Sequence, residues 1–478
     1  MLTGYTLPAD LPADRACPVD AIRAALPGAR RVVVLDDDPT GTQTVRDLPV
    51  LTRWEIADVQ WALRQSTSAF FVLTNSRSLS AADAAMRNRE VAEACMEAAR
   101  SENVDLAFAS RSDSTLRGHF PLETDVLTAV SAEAGRPVDG VLVVPAYIDA
   151  GRVTIDGAHW VTTGDGLVPV SGTEFARDAT FGFRNSNLPA WIEEKSGGRI
   201  RQDDVGLISL EEIRSGGPTV VAERLAEARG ASFVVVDAVT DDDLRVVVSA
   251  VLAVEAQGHR FVYRVGPSFV RARCGQDQSP PLSIGELREL VGTEARAGRG
   301  LIVVGSHVAL TTRQLARLRG RLPLHEIEVD VSAVLDPDRV AGELSRAVTD
   351  SALAMGESHV VLATSRTLQV GSSRSDSLRI AGQVSTAVAK IVAGVAAIRR
   401  PAFIVAKGGI TSADVATSGL GVVHSWVRGT LLPGIVSLWQ PVDGSLPGIP
   451  YVVFAGNVGG DDALADVVER LETALSAS

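Results

Sequence analysis

Four strings place carboxylates, hydroxyls and guanidinium groups directly after short apolar runs. "VVVL" is followed by Asp36-Asp37-Asp38-Pro39-Thr40-Gly41, and "FFVL" by Thr74-Asn75-Ser76-Arg77. "LAFA" is followed by Ser110-Arg111-Ser112-Asp113-Ser114-Thr115-Leu116-Arg117-Gly118, and "VLVV" by Pro145-Ala146-Tyr147 and then Gly151-Arg152. Arginine meets a carboxylate through a two-pronged fork, aspartate accepts from several hydroxyls, and serine or threonine hydroxyls do either. A small polyhydroxy acid matches that set. Taken singly, such residues have structural readings: Asp38 before Pro39 makes a turn, and Ser80, just beyond the second string, caps the helix that follows. Taken together they favour a ligand, because open α/β sheets bind beyond the carboxyl ends of their strands.

The second half of the chain carries glycine where the first carries charge. "VVGSHVALTTRQL" sets Gly305-Ser306 after a strand and Thr311 before a helix. "FIVAKGGITSADVA" sets Lys407-Gly408-Gly409 after a strand, with Ile410-Thr411-Ser412 opening a helix. "VVFAGNVGGDDALADV" repeats the design with Gly456, Asn457, Gly459 and Gly460. Glycine lets backbone approach a ligand, and free N–H groups at a helix start favour phosphate. Such loops also serve as tight turns, but three in one half point to a nucleotide, with Lys407 as an added point charge. Asp461 and Asp462 read as helix caps rather than magnesium ligands.

These residues need strands to present them. "RVVVL", "AFFVLT", "VDLAFA", "GVLVVP", "SFVVVDA", "RFVYRV", "GLIVVG", "HEIEVDV", "HVVLAT", "PAFIVA" and "YVVFAG" alternate with helical patterns such as "SAADAAMRNREVAEACMEAAR" and "SDSLRIAGQVSTAVAKIVAGVAAI". Continuous apolar strands imply burial on both faces, hence α/β architecture with largely parallel sheets flanked by helices. At 478 residues the chain suits two domains. The break falls in the polar stretch "RCGQDQSPPLSIGEL", giving domains 1–275 and 276–478. Residues 163–198 read as a long irregular, functional loop.

Composition narrows the partners. A net charge of -12 argues against nucleic acid and anionic membrane surfaces and leaves small ligands. Cys17, Cys95 and Cys274 have neither disulfide-framework nor zinc spacing, which fits reduced thiols in the cytoplasm. No leader is recognisable, and no apolar run approaches the ~18 residues of a membrane helix. Lysine occurs only at 195, 390 and 407, so the G-x-x-x-x-G-K-[ST] phosphate loop is excluded; G-x-G-x-x-G, H-E-x-x-H and G-x-S-x-G are also missing.

The chain resembles the four-carbon acid sugar kinase family over nearly its whole length. "DDPTG", "TNSRS", "DSTLRG" and "PAYIDAGRVT" are similar to that family's first-domain motifs, "GSHVALTTRQL", "KGGITS" and "PGIPYVVFAGNVGGDDAL" to those of its second. The resemblance implies an acid-sugar domain, a nucleotide domain and a reaction in the cleft between them: ATP, with Mg²⁺ bridging its phosphates, phosphorylates the terminal hydroxyl of threonate, erythronate or an oxo-tetronate. It implies Asp113 as base or orienting group, with Asp38 second. Asp37, Thr40, Ser76, Arg77, Ser114, Arg117, Gly118 and Arg152 would bind substrate, Arg77 and Arg117 through its carboxylate. Ser306, Lys407, Gly408, Gly409, Ile410, Thr411, Gly456, Asn457, Gly459 and Gly460 would bind nucleotide. Two departures stand out: Arg111 where relatives often carry lysine, and Phe454-Ala455-Gly456 where many have Lys-Ser-Gly. A non-catalytic acid-sugar or nucleotide sensor is the alternative, and a homodimer is compatible with the sequence.

Overall fold

A computed structural model describes residues 11–164, 166–292, 298–365 and 374–476. Residues 1–10 of the string read for a leader, and Asp165 of the 163–198 stretch, lie outside the described residues. The chain forms two compact units, Met1–Gln278 and Ser279–Ser478.

The first unit contains β1 (Arg31–Asp36), β2 (Leu48–Leu51), β3 (Ala69–Leu73), β4 (Leu106–Arg111), β5 (Gly140–Val144), β6 (Arg152–Ile155), β7 (Ala158–Thr163), β8 (Gly166–Pro169), β9 (Gly206–Ile208), β10 (Ser232–Val236) and β11 (Phe261–Val265). Eight of them form a wholly parallel sheet in the order β2-β3-β1-β4-β11-β5-β10-β9. Val33, Leu35, Phe70, Val72 and Phe108 pack into the same core as Val59, Val91 and Leu127, which come from the helices Ile56–Leu63, Ala81–Glu102 and Leu122–Glu133. Val32, Val34 and Phe71, on the opposite face, are equally buried, which is why these strands lack a polar alternation. Ser80 caps the long helix by accepting from the Asp83 backbone at 3.2 Å.

Because all eight strands run the same way, their carboxyl ends share one edge. β1 lies between β3 and β4, where the chain reverses the direction in which it adds strands, and such a reversal opens a crevice for ligands. Register places Asp36 beside Leu73 on one side and Arg111 on the other.

The 163–198 stretch is more ordered than its sequence reads. It closes a small antiparallel sheet, β6-β7-β8, continues through the 3-10 turns Val170–Gly172 and Glu174–Arg177, and ends in the helix Leu188–Lys195. Its aromatic residues supply the order: Phe181, Phe183 and Trp191 are buried, and Trp191 stacks on Phe120.

The second unit contains β12 (Leu301–Val304), β13 (Leu324–Val329), β14 (His359–Thr364), β15 (Ile404–Lys407), β16 (His424–Leu432), β17 (Val436–Pro441) and β18 (Tyr451–Phe454). Their order is β13-β14-β12-β15-β18-β17-β16, parallel as far as β18 and antiparallel beyond. The β16–β17 hairpin escaped the strand reading because bulges at 427–429 and 430–432 break its alternation. Against the expectation that no apolar run approaches membrane length, Arg379–Ile398 is long and apolar enough to cross one by length and composition. Its apolar positions serve the unit's interior: Val388, Ile391, Val392 and Val395 are buried, and the helix packs on Val340–Ala354.

Candidate functional site

In the first unit the three consecutive aspartates have three different environments. Asp36, at the end of β1, pairs with Arg111 at the end of β4, and both are buried. Gly41 is required beside them, since a Cβ there would run into Asp36 and the Arg111 Nε. Asp37 receives a two-pronged bond from Arg77, Nε to Oδ2 at 3.1 Å and Nη2 to Oδ1 at 2.5 Å. Burial pushes the Asp37 carboxyl up to about 7 against the opposing pull of Arg77. Asp38 caps the 3-10 turn Pro39–Thr44 by accepting from the Thr40 amide at 2.9 Å and its hydroxyl at 2.5 Å, and it keeps a side chain 23% exposed.

Asp113 accepts from Thr115 and from the Arg117 Nε at 2.5 Å. Burial alone would raise its pKa, but Arg77, Arg117 and Arg152 together hold it well below the usual carboxylate range. Arg152 donates to Ser114 Oγ at 2.7 Å. The Ser114 carbonyl is fixed in turn by His159 Nε2 at 2.8 Å, while burial lowers that imidazole to about 4 and so keeps it neutral. Gly118, at φ +129°, lies against Asp37: a Cβ there would sit 3.3 Å from Oδ2. Thus Asp37, Asp38, Thr40, Arg77, Asp113, Ser114, Arg117, Gly118 and Arg152 gather at one edge. Ser76 lies behind them, fully buried, donating to Glu123 Oε1 at 2.6 Å.

Two contributors were not read from the sequence. Glu123, in the first turn of its helix, also accepts from Ser110 at 3.0 Å and lies 3.4 Å from the Ser112 hydroxyl, tying the ends of β3 and β4 together. Arg264, one residue before the carboxyl end of β11, is 2% exposed; its Nη2 would lie 3.8 Å from a Cβ on Gly118. A charged residue inside the apolar run "RFVYRV" was the available signal for it, whereas Glu123 has the spacing of any solvated helical glutamate.

In the second unit the loops after β12, β15 and β18 converge. The Thr311 hydroxyl donates to Ser306 Oγ at 3.1 Å or the Gly456 carbonyl at 3.0 Å. A Cβ on Gly456 would meet Ser306 Oγ at 2.5 Å, and one on Gly408, at φ +127°, would meet Thr411 Oγ1 at 3.0 Å. Gln314 fastens the third loop by donating to the carbonyls of Val458 at 3.0 Å and Gly460 at 2.8 Å. Asn457 and Gly460 are exposed, Gly409 and Gly459 half-buried. Val308 and Ile410 are apolar yet 45% and 50% exposed beside these loops.

Lys407 departs from its expected place. Its ammonium is 0% exposed, donates to the Ala455 carbonyl at 2.7 Å and sits 3.6 Å over the Phe454 ring. It therefore offers no charge at the loop surface, and burial lowers it to about 7. Asp461 pairs with Arg313 at 2.8 Å, and Asp462 lies 3.6 Å from Arg321. Among the described residues no three histidine, cysteine, aspartate or glutamate side chains form a metal-holding group. The three glycine loops suit a phosphate chain held by backbone.

Residues 32–273 match the family model of a sugar-binding N-terminal domain, and residues 301–464 that of a nucleotide-binding C-terminal domain. The D-erythronate kinase of Heliobacterium modesticaldum is 28% identical over 422 residues, 85% of this chain and 87% of that one. The crystal structure of Haemophilus influenzae protein HI1011 has the same fold, at TM-score 0.59 and 20% identity over 92% of this chain and 100% of that one. So does a Salmonella typhimurium LT2 protein, at TM-score 0.63 and 18% identity over 91% and 98%. With a sugar-binding and a nucleotide-binding domain in that order, and the strand-end residues that join carboxylates to guanidinium groups, the chain belongs to the four-carbon acid sugar kinase family, a family of carbohydrate kinases.

Proposed function

We propose that this kinase transfers the γ-phosphoryl group of ATP to the terminal hydroxyl of a four-carbon acid sugar such as erythronate, threonate or an oxo-tetronate. The observation that carries the reading is one edge of the first unit, where Asp37, Asp38 and Asp113 stand among Arg77, Arg117 and Arg152. Aspartates and serine hydroxyls suit the hydroxyls of such a substrate, and a guanidinium suits its carboxylate. The converging glycine loops of the second unit suit the phosphates, and exposed Val308 and Ile410 suit the base.

Phosphoryl transfer passes through a loose transition state, so alignment and charge stabilisation outweigh strong basicity. Asp113 fits an orienting role, because its neighbouring arginines keep it ionised. It accepts the hydrogen bond of the terminal hydroxyl, turns the oxygen toward the γ-phosphorus and receives the proton as the new P–O bond forms and ADP departs. Mg²⁺ accompanying the nucleotide would supply charge neutralisation on the phosphates.

The test is ADP release from ATP and Mg²⁺ across a panel of four-carbon acids. Turnover is expected with at least one, and Asp113→Ala should lower kcat by about 100-fold or more. Binding of acid and nucleotide without ADP release would instead favour a sensor, and unchanged turnover in Asp113→Ala would remove that residue from the role.

A further inference from the structure

The arginines of the strand-end edge are unequally available. Arg77 spends Nε and Nη2 on Asp37, and its Nη1 lies 3.6 Å from Asp38. Arg111 faces Asp36 and lies 3.5 Å from Asp37. Arg117 is bonded to Asp113 and lies 3.7 Å from Asp178. Arg264 is sealed at 2% exposure. Arg152 differs: it is half-buried, and among the described residues no carboxylate oxygen lies within 4.0 Å of it. Its Nε is buried without a hydrogen-bond partner.

What holds Arg152 is aromatic. Its guanidinium carbon lies 5.6 Å from the Tyr147 ring centroid and 5.9 Å from that of Phe175. The Phe175 ring also carries Arg117, at 5.0 Å. Ser114 completes the arrangement: its Oγ accepts from Arg152, so its own proton is not spent on that bond. A guanidinium beside a hydroxyl suits a carboxylate.

We propose that Arg152, with Ser114, takes the carboxylate of the substrate, and that Phe175 is the positioning residue that fixes Arg152 relative to Arg117. Arg77 and Arg117 are then internal counterions that set the charge of Asp37 and Asp113. Phe175 acts from the turn Glu174–Arg177, which is fastened by the Phe183 amide donating to the Ala176 carbonyl at 3.1 Å and the Gly182 amide to the Asp178 carbonyl at 3.0 Å. The inference rests on the acid-sugar reading, since it assigns the anionic group of that substrate.

Calorimetric titration of D-erythronate and related hydroxy acids into the nucleotide-free protein, beside steady-state kinetics, tests it. Arg152→Met should weaken acid binding about 100-fold and raise KM by a larger factor than it lowers kcat. Its preference for the acid over the uncharged amide of the same acid should collapse. Phe175→Ala should raise KM about 10-fold, and Phe175→Tyr should restore most of it because the ring is retained. A urea-unfolding transition of the first unit, which carries both residues, that matches wild type in each variant establishes that the mutated unit is folded. Acid binding by Arg152→Met at wild-type strength, with the preference over the amide intact, overturns this assignment alone. A wild-type protein that binds no hydroxy acid overturns the acid-sugar reading and this assignment with it.

Discussion

Asp37 and Arg77 show how closely recognition and folding are joined at a single pair. Arg77 holds Asp37 with two hydrogen bonds at a position where the carboxylate is 2% exposed, so losing the arginine strands a buried charge. Arg77→Met should therefore destabilise the first unit by about 3–5 kcal/mol in urea unfolding, whatever it does to the ligand. The loss should depend on pH. A carboxyl whose folded pKa is raised to about 7 contributes stability fully present below its unfolded value and lost as pH rises through the folded one. Removing Arg77 raises that folded value further. The gap between variant and wild type should thus be smaller at about pH 5.5, where the carboxyl is largely neutral, than at about pH 8. A gap that narrows toward alkaline pH would show that Arg77 does not hold this charge.

At the scale of strands and loops, β15 carries the clearest departure from a phosphate-binding reading of its lysine. Lys407 is lowered to about 7 by burial, so between that pH and the unfolded value of ~10.4 the native state holds fewer protons than the unfolded one. Stability of the second unit should rise with pH across that window. In Lys407→Met the rise should vanish, while ATP affinity stays within about 3-fold of wild type because the ammonium contacts Ala455 and Phe454. A loss of ATP affinity near 100-fold would return the lysine to the phosphates. The strands themselves were legible because burial on both faces forces runs such as "VVVL" and "FFVL", and parallel pairing then lines up whatever follows them. Asp37, Arg77 and Asp113 could be read for that reason. Glu123 could not, because a helical glutamate reveals nothing of the serines it will meet. The β16–β17 hairpin could be suspected only from Pro433-Gly434 between branched and aromatic residues.

Across the whole molecule, charge is distributed in a way that bears on rate. At the strand-end edge Asp36, Asp37, Asp38, Asp113 and Glu123 are matched by Arg77, Arg111, Arg117, Arg152 and Arg264, so the protein's charge of -12 resides elsewhere. An anionic acid and ATP, the substrates proposed above, both approach against that field. Raising ionic strength from about 20 mM to about 200 mM shortens the Debye length from ~20 Å to ~7 Å and should raise kcat/KM about 2- to 5-fold. A steep fall instead would mean that attraction by local arginines governs encounter. The composition gave the sign of this field, but only the fold separates it from the neutral edge. Strand-end residues such as Asp36 and Arg111 are committed to the sheet, and few replacements there would leave a protein that folds. The turn Glu174–Arg177 is fastened by its own backbone, and its ring touches the edge from outside the sheet. With Phe175 in the role proposed for it, gene copies can diverge in which acid they accept through changes in that turn, outside the strand ends.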